Sequence, residues 1–263
     1  MPGLYFRLPF IVVLVMCLGA ESDPNGRLYK SSEDPLADVQ QALGLANDDD
    51  QLALVVVGAN WCHDSRALAA RLHESPLAEV IQENYELVFV DVGFYDKGRD
   101  VVQQFGVPNY YATPTVLIVD PSSGQVVNDE DRHIWTNAYS VDMSSSVEYF
   151  EKWSTRDEAA DAAVESAQLE ALYAEIDAYE QQQAERVTAG YAVVGPMLEA
   201  TVAGDRPKEF DASWDELAAF RTAIPGDIRE LREEAQRRVA EGEEDIVLVF
   251  PEYPPLSWES EST

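Results

Sequence analysis

The segment that most constrains this chain is Leu52–Val57, a continuous apolar run rich in Val, followed at once by Gly58-Ala59-Asn60-Trp61-Cys62-His63-Asp64-Ser65. Its length and β-branching predict a strand buried on both faces. Gly58-Ala59-Asn60 ends the strand, and the apolar spacing of Leu68, Leu72, Leu77, Val80 and Ile81 predicts a helix from Ser65 to about Glu83, with Pro76 kinking or splitting it. A cysteine is thus delivered to the point where a buried strand hands over to a helix. There it meets backbone N–H groups without intrahelical partners and the positive end of the helix dipole, both of which favour thiolate over thiol.

Around this unit the periodicity alternates between strand and helix. Asp34-Pro35 reads as an N-cap and first helical position, opening a helix that Gly44 is expected to stop. Glu86–Val92 reads as a second buried strand, Arg99–Phe105 as a short helix, Thr115–Val119 as a third strand, and Gln125–Asn128 as a fourth after a turn. Val141–Trp153 closes the unit as a helix, and Arg27-Leu28-Tyr29 is a candidate short strand before it. The expected fold class is α/β, a central mixed sheet flanked by helices. The expected division is 1–20 as a signal peptide, 21–154 as this α/β domain and 155–263 as a mainly helical C-terminal extension. Within the extension, helices are expected over Asp157–Val187, from a capping box at Ser213-Trp214-Asp215-Glu216, and over Pro225–Ala240, with a short strand at Ile246–Phe250.

The N-terminus reads as a targeting signal. Arg7 precedes the apolar stretch Leu8–Leu18, small residues Gly19 and Ala20 follow, and Glu21-Ser22-Asp23-Pro24 is polar. The expected location is extracytoplasmic, periplasmic or secreted. Lipid attachment at Cys17, in Leu14-Val15-Met16-Cys17, and an uncleaved anchor are the alternatives. Cleavage leaves Cys62 as the sole thiol, with no internal disulfide available.

With 49 acids against 18 bases the formal charge is -31. That surface repels nucleic acid and anionic lipid, so neither is an expected partner, and no membrane association is expected once the leader is removed. The acidity suits a solvated surface, or a salty exterior where counter-ions screen self-repulsion. Three isolated His residues and one mature Cys provide no zinc spacing. There is no calcium loop, phosphate-binding Gly loop or Gly-x-Ser-x-Gly elbow either, and no cofactor or metal is expected.

The strand Leu54–Val57, the Trp61-Cys62-His63-Asp64-Ser65 motif and Thr113-Pro114-Thr115 before a strand together resemble the thioredoxin family, over roughly residues 27–153. The resemblance implies that Cys62 is the reactive cysteine and that Pro114 is cis and lies against it. It also implies that the Thr113 backbone pairs with an extended substrate segment, and that Trp61 walls the groove. Three departures matter. The family's second active-site cysteine is Ser65, which can donate a hydrogen bond to the sulfur but cannot resolve a mixed disulfide. The acid often found six residues before the first cysteine is Val56. Asn109-Tyr110-Tyr111 looks inserted before Pro114, which puts Tyr110 and Tyr111 either at the substrate groove or in local packing. His63, when protonated, favours the thiolate and Asp64 opposes it; both also suit a solvent-facing helix start.

Two functions follow as expectations. One is an exported single-cysteine protein of thiol–disulfide exchange, with protein disulfides or glutathione as partners. The alternative is a redox-inactive binding or scaffold protein working through its helical C-terminal half.

Overall fold

The computed structural model describes residues 27–129, 131–154 and 166–259. The leader, Cys17, most of the lead-in and the expected helix start at Asp157 lie outside the described residues. Helix α1 spans Pro35–Asp48, β1 Leu52–Gly58, α2 His63–Arg71, α3 Leu77–Asn84, β2 Tyr85–Asp91, α4 Arg99–Gln103 and β3 Thr115–Val119. A 3₁₀ segment at Arg132–Ser140, α5 at Met143–Lys152, α6 at Ala167–Val202 and α7 at Phe210–Ala240 complete the order. No helix among the described residues is long and apolar enough to cross a membrane.

The sheet has the order β2-β1-β3, with β2 parallel and β3 antiparallel to the central β1. All seven residues of β1 are buried, and its alternation divides the interior in two. Ala53, Val55 and Val57 face a core shared with α1, α4, α6 and α7. Leu52, Leu54 and Val56 face a core built from α2, α3, α5 and the 3₁₀ segment, where Trp135, Tyr149 and Phe150 pack edge-on or stacked. Because side chains alternate across a strand, a one-residue slip of β1 exchanges both sets, so its register is strongly specified.

Local chemistry explains most element ends. Asp34 caps α1, its Oδ1 accepting from the Ala37 N–H at 3.0 Å, Asp142 caps α5 in the same way, and Ser166 caps α6. Pro76 stands between α2 and α3 and splits the expected helix in two. Several expectations are corrected. Gly44 does not stop α1, which continues to Asp48 because Ala46 is buried against the sheet. Residues 27–29 form no strand; Tyr29 instead buries its ring beside Gly58. The expected fourth strand is a single bridge, Val119 to Val126, because Asn128 turns inward and takes the Ile118 N–H and Val116 carbonyl with its side chain. Residues 246–250 lack strand pairing.

Among the described residues, the extension forms two long helices rather than three shorter ones. Helix α7 starts at Phe210, so Ser213 lies inside it and caps nothing, and the helix runs through Pro225. Leu217, Ile224 and Leu231 are buried at intervals of seven, with Arg221, Ile228 and Ala235 four residues after each, a coiled-coil-like seam against α6. On α6, Leu169, Ile176, Gln183 and Gly190 repeat at the same interval.

This pair docks on the sheet domain through buried groups. Tyr191 stacks on Tyr95 with centroids 4.2 Å apart and on Tyr110 at 5.3 Å. The Tyr191 hydroxyl donates to the Tyr110 carbonyl at 2.6 Å, and Asn109 donates to the Ala184 carbonyl and the Thr188 hydroxyl. Aromatic pairs contribute roughly 0.5–1.5 kcal/mol each beyond the area they bury. The exposed ion pair Arg232–Asp177 joins α7 to α6 rather than to the sheet domain.

Gly195 marks a close approach, since a Cβ there would sit 2.3 Å from the Phe94 carbonyl oxygen. Gly195→Ala should lower unfolding stability by about 1–3 kcal/mol through overpacking, read by denaturant titration. Gly226→Ala, with nothing within 4 Å of the added carbon, should raise it by about 0.5–1 kcal/mol.

Candidate active site

The end of β1 becomes a site because several groups converge on Gly58. A Cβ at Gly58 would meet Ser65 Oγ at 2.6 Å and the Tyr29 ring at 2.8 Å, so glycine is what lets both approach. Asn60 clamps the Tyr29 backbone, donating to its carbonyl at 2.5 Å and accepting its N–H at 3.3 Å. Arg66 holds the Asn60 and Trp61 carbonyls at 2.7 and 3.0 Å. The bend before α2 is thus pinned from both sides.

Cys62 occupies the N-cap of α2 in extended conformation, half-buried. Its Sγ donates to the Thr113 carbonyl at 3.0 Å, and the Thr113–Pro114 peptide bond is cis. The loop before β3 therefore faces the first turn of α2, with the sulfur between them as a thiol donor. Residues 34–121 match the thioredoxin-like family profile. The N-terminal half is a thioredoxin-like domain.

A solved structure that resembles this domain is a disulphide isomerase from Xylella fastidiosa Temecula1. It is 27% identical over 49% of this chain and 97% of that one, with a TM-score of 0.43. No curated protein matches the chain. In this chain the thioredoxin-like domain carries the two long helices α6 and α7 beyond it.

Those helices reach the site. Trp61 donates from Nε1 to the Gly93 carbonyl at 2.7 Å, and its ring meets Tyr95 at 5.1 Å and Trp214 of α7 at 6.2 Å, both edge-on. Arg221, buried, lies over the rings of Tyr95, Trp214 and Tyr191. Its Nε and the Tyr95 hydroxyl find no hydrogen-bond partner. Burial drives the Tyr95 phenol well above its ordinary range, opposed by Arg221. Burial does the same to Tyr29, whose hydroxyl donates to the Ser65 carbonyl at 3.2 Å. Both phenols stay protonated at neutral pH. Asp91, paired in register with Gly58, is also pushed up by burial while accepting the Gly93 N–H.

The remaining expected residues occupy distinct places. Ser65 is fully buried and its Oγ makes no hydrogen bond, so the expected bond to the Cys62 sulfur is absent. His63 is exposed, 3.0 Å from Asp64, and rests on Tyr139. Asp64 is not simply solvent-facing: it accepts the Tyr139 N–H at 2.9 Å and ties α2 to the 3₁₀ segment. Tyr110 and Tyr111 are buried against α6, Tyr110 under Tyr191 and Tyr111 donating to Glu180 Oε1 at 3.1 Å. Their rings pack between the domain and its extension, and Tyr111, unlike Tyr110, also lines a cavity beside Pro114. In the sequence Trp214 enters only within the capping-box pattern Ser213–Glu216, and Arg221 not at all. The signal for Arg221 was its place in the seven-residue repeat, a slot otherwise filled by Ile228 and Ala235.

Glu180 yields a pH prediction. Burial raises its pKa above the ordinary 4.5, with Arg132, the Tyr111 hydroxyl and Arg232 opposing. Between the ordinary and raised values the folded state holds more protons than the unfolded, so stability falls as pH rises through that window. Glu180→Gln keeps an acceptor for Tyr111 and should be more stable than the parent at neutral pH. The gap should close in acid, where Glu180 is protonated in both states; melting curves at two pH values measure it. Ser65→Ala, which removes a buried unpaired hydroxyl, should leave stability unchanged or raise it by up to about 1 kcal/mol.

Proposed function

We propose that this protein performs thiol–disulfide exchange through Cys62 alone, outside the cytoplasm, with protein disulfides or glutathione as partners. One observation carries the reading: a half-buried thiol at the start of α2 lies 3.0 Å from the Thr113 carbonyl, beside cis Pro114.

The chemistry balances without a cofactor. Cys62 loses its proton, and its sulfur attacks one sulfur of a substrate disulfide. The Cys62–substrate S–S bond forms, the original S–S bond breaks, and the departing sulfur leaves as a thiolate that takes up a proton. A sulfur in a mixed disulfide has no hydrogen to donate. Its formation therefore frees the Thr113 carbonyl to accept an N–H from an extended substrate segment. Release needs an external thiol, which attacks the mixed disulfide and restores the Cys62 thiol. Ser65 cannot take that role, because a hydroxyl is too weakly acidic and its Oγ is buried toward Gly58. Val56 in place of a buried acid fits the same one-thiol scheme, since no second cysteine needs deprotonating.

Incubation of the purified, reduced protein with glutathione disulfide should give one adduct per chain, at Cys62, removable by excess reduced thiol and absent in Cys62→Ala. A folded protein whose Cys62 stays free, but reacts once unfolded, would contradict the reading. That result would favour a binding role for the α6–α7 surface.

A further inference from the structure

A cavity of about 290 Å³ lies between the Pro114 loop and α7. Pro114 and Thr115 form one wall, Arg132 and His133 of the 3₁₀ segment another, and Thr222 and Arg229 of α7 a third. Pro114 directly follows Thr113, whose carbonyl receives the Cys62 thiol. The residue next to that carbonyl therefore forms part of the cavity wall. Its size is at the lower limit of small-molecule sites, enough for one side chain or a chain terminus.

Its charge runs against the rest of the molecule. In a chain of net charge -31, the cavity wall holds two arginines and a histidine, and no Asp or Glu among the described residues. Carboxylates stand behind it: the adjoining cleft, which shares Arg132, His133 and Arg229, carries Asp129, Asp131, Glu180 and Glu233, and Glu180 interacts with Arg132. Asp129 is 3.0 Å from Arg132 Nη1, yet that nitrogen makes no hydrogen bond. Glu233 is 3.8 Å from Arg229 Nε, too far for one. Each guanidinium has five N–H donors in a fork that fits a carboxylate; Arg132 Nη1 is unpartnered but shielded from solvent, and Arg229 is partly exposed.

Resting on the exchange reading above, we infer that this cavity binds a carboxylate carried by the disulfide substrate, next to the sulfur that Cys62 attacks. The carboxylate comes from an acidic side chain of a peptide or from glutathione; the chemistry of recognition is the same. Helix α7 thereby adds to the exchange site a specificity pocket for anions. The overall negative field would select the opposite charge, because at a distance it repels anions and attracts cations.

That opposition makes the test sharp. Rates of mixed-disulfide formation at Cys62 are measured with dithiodiglycolate, 2-hydroxyethyl disulfide and cystamine, which are anionic, neutral and cationic. Each is divided by the rate of the same probe with free 2-mercaptoethanol. The pocket predicts the anionic probe fastest, at least several-fold over the cationic one. Arg229→Glu should lower the anionic-to-cationic ratio about tenfold or more. Arg229→Gln, at a side chain already partly exposed, should lower it less, and guards against misfolding of the charge-reversed variant. Comparing glutathione disulfide with a peptide disulfide bearing Asp beside its cysteine identifies the source of the carboxylate; a preference for either over a neutral peptide disulfide supports the pocket. If the cationic probe is fastest and neither variant moves the ratio, the pocket is wrong while exchange at Cys62 stands. If no probe reacts with folded protein, the exchange reading fails and the pocket with it.

Discussion

Strand β1 has a hydrophobic core on each face, and that double burial positions everything at its end. Ala53, Val55 and Val57 are committed to one side and Leu52, Leu54 and Val56 to the other. Neither set can move without exposing the other. The strand therefore delivers Gly58 and the following bend to a fixed point. Glycine at that point admits Tyr29 and Ser65, and Cys62 emerges at the first turn of α2 facing the Thr113 carbonyl. The chemistry of the site is a consequence of where a fully apolar strand has to stop.

The second half of the chain is part of the same construction. Residues of α6 and α7 share a core with one face of the sheet, and the aromatic group Trp61, Tyr95, Tyr191 and Trp214 runs from the residue beside the thiol into the extension. Arg221 is covered by these rings rather than by a carboxylate. Buried charges usually require a partner; here the faces of three aromatic rings and the Tyr191 hydroxyl at 3.5 Å supply the compensation. The loop 93–95, pressed by Gly195 on one side and holding Trp61 on the other, couples the two halves mechanically.

Much of the sheet domain was legible in the sequence because its signals are local. The Val-rich run at 52–57, the Asp34-Pro35 cap and the break at Pro76 each act within a few residues. The juxtaposition of Cys62 with Thr113 and Pro114 came from the family motif, not from periodicity. What stayed hidden depends on distant partners. Asn109, Tyr110 and Tyr111 looked like an insertion beside a groove; their partners Ala184, Tyr191 and Glu180 lie some seventy to eighty residues away. Pro225 reads as the start of a separate helix, but α7 runs through it while Ile224 and Ile228 remain buried on either side. Arg221 carries no local signal, because a guanidinium over tyrosine rings leaves no mark except its place in a seven-residue repeat.

The central claim is that one thiol, held between α2 and the Pro114 loop, is used covalently where the protein works. Cells expressing the protein can be quenched in acid, free thiols blocked, and the protein recovered without reductant. The account predicts species joined to Cys62 by mixed disulfides, which collapse on reduction and are missing in Cys62→Ala. Recovery of Cys62 wholly as a blocked free thiol, with no disulfide-linked species under oxidising conditions, would contradict it.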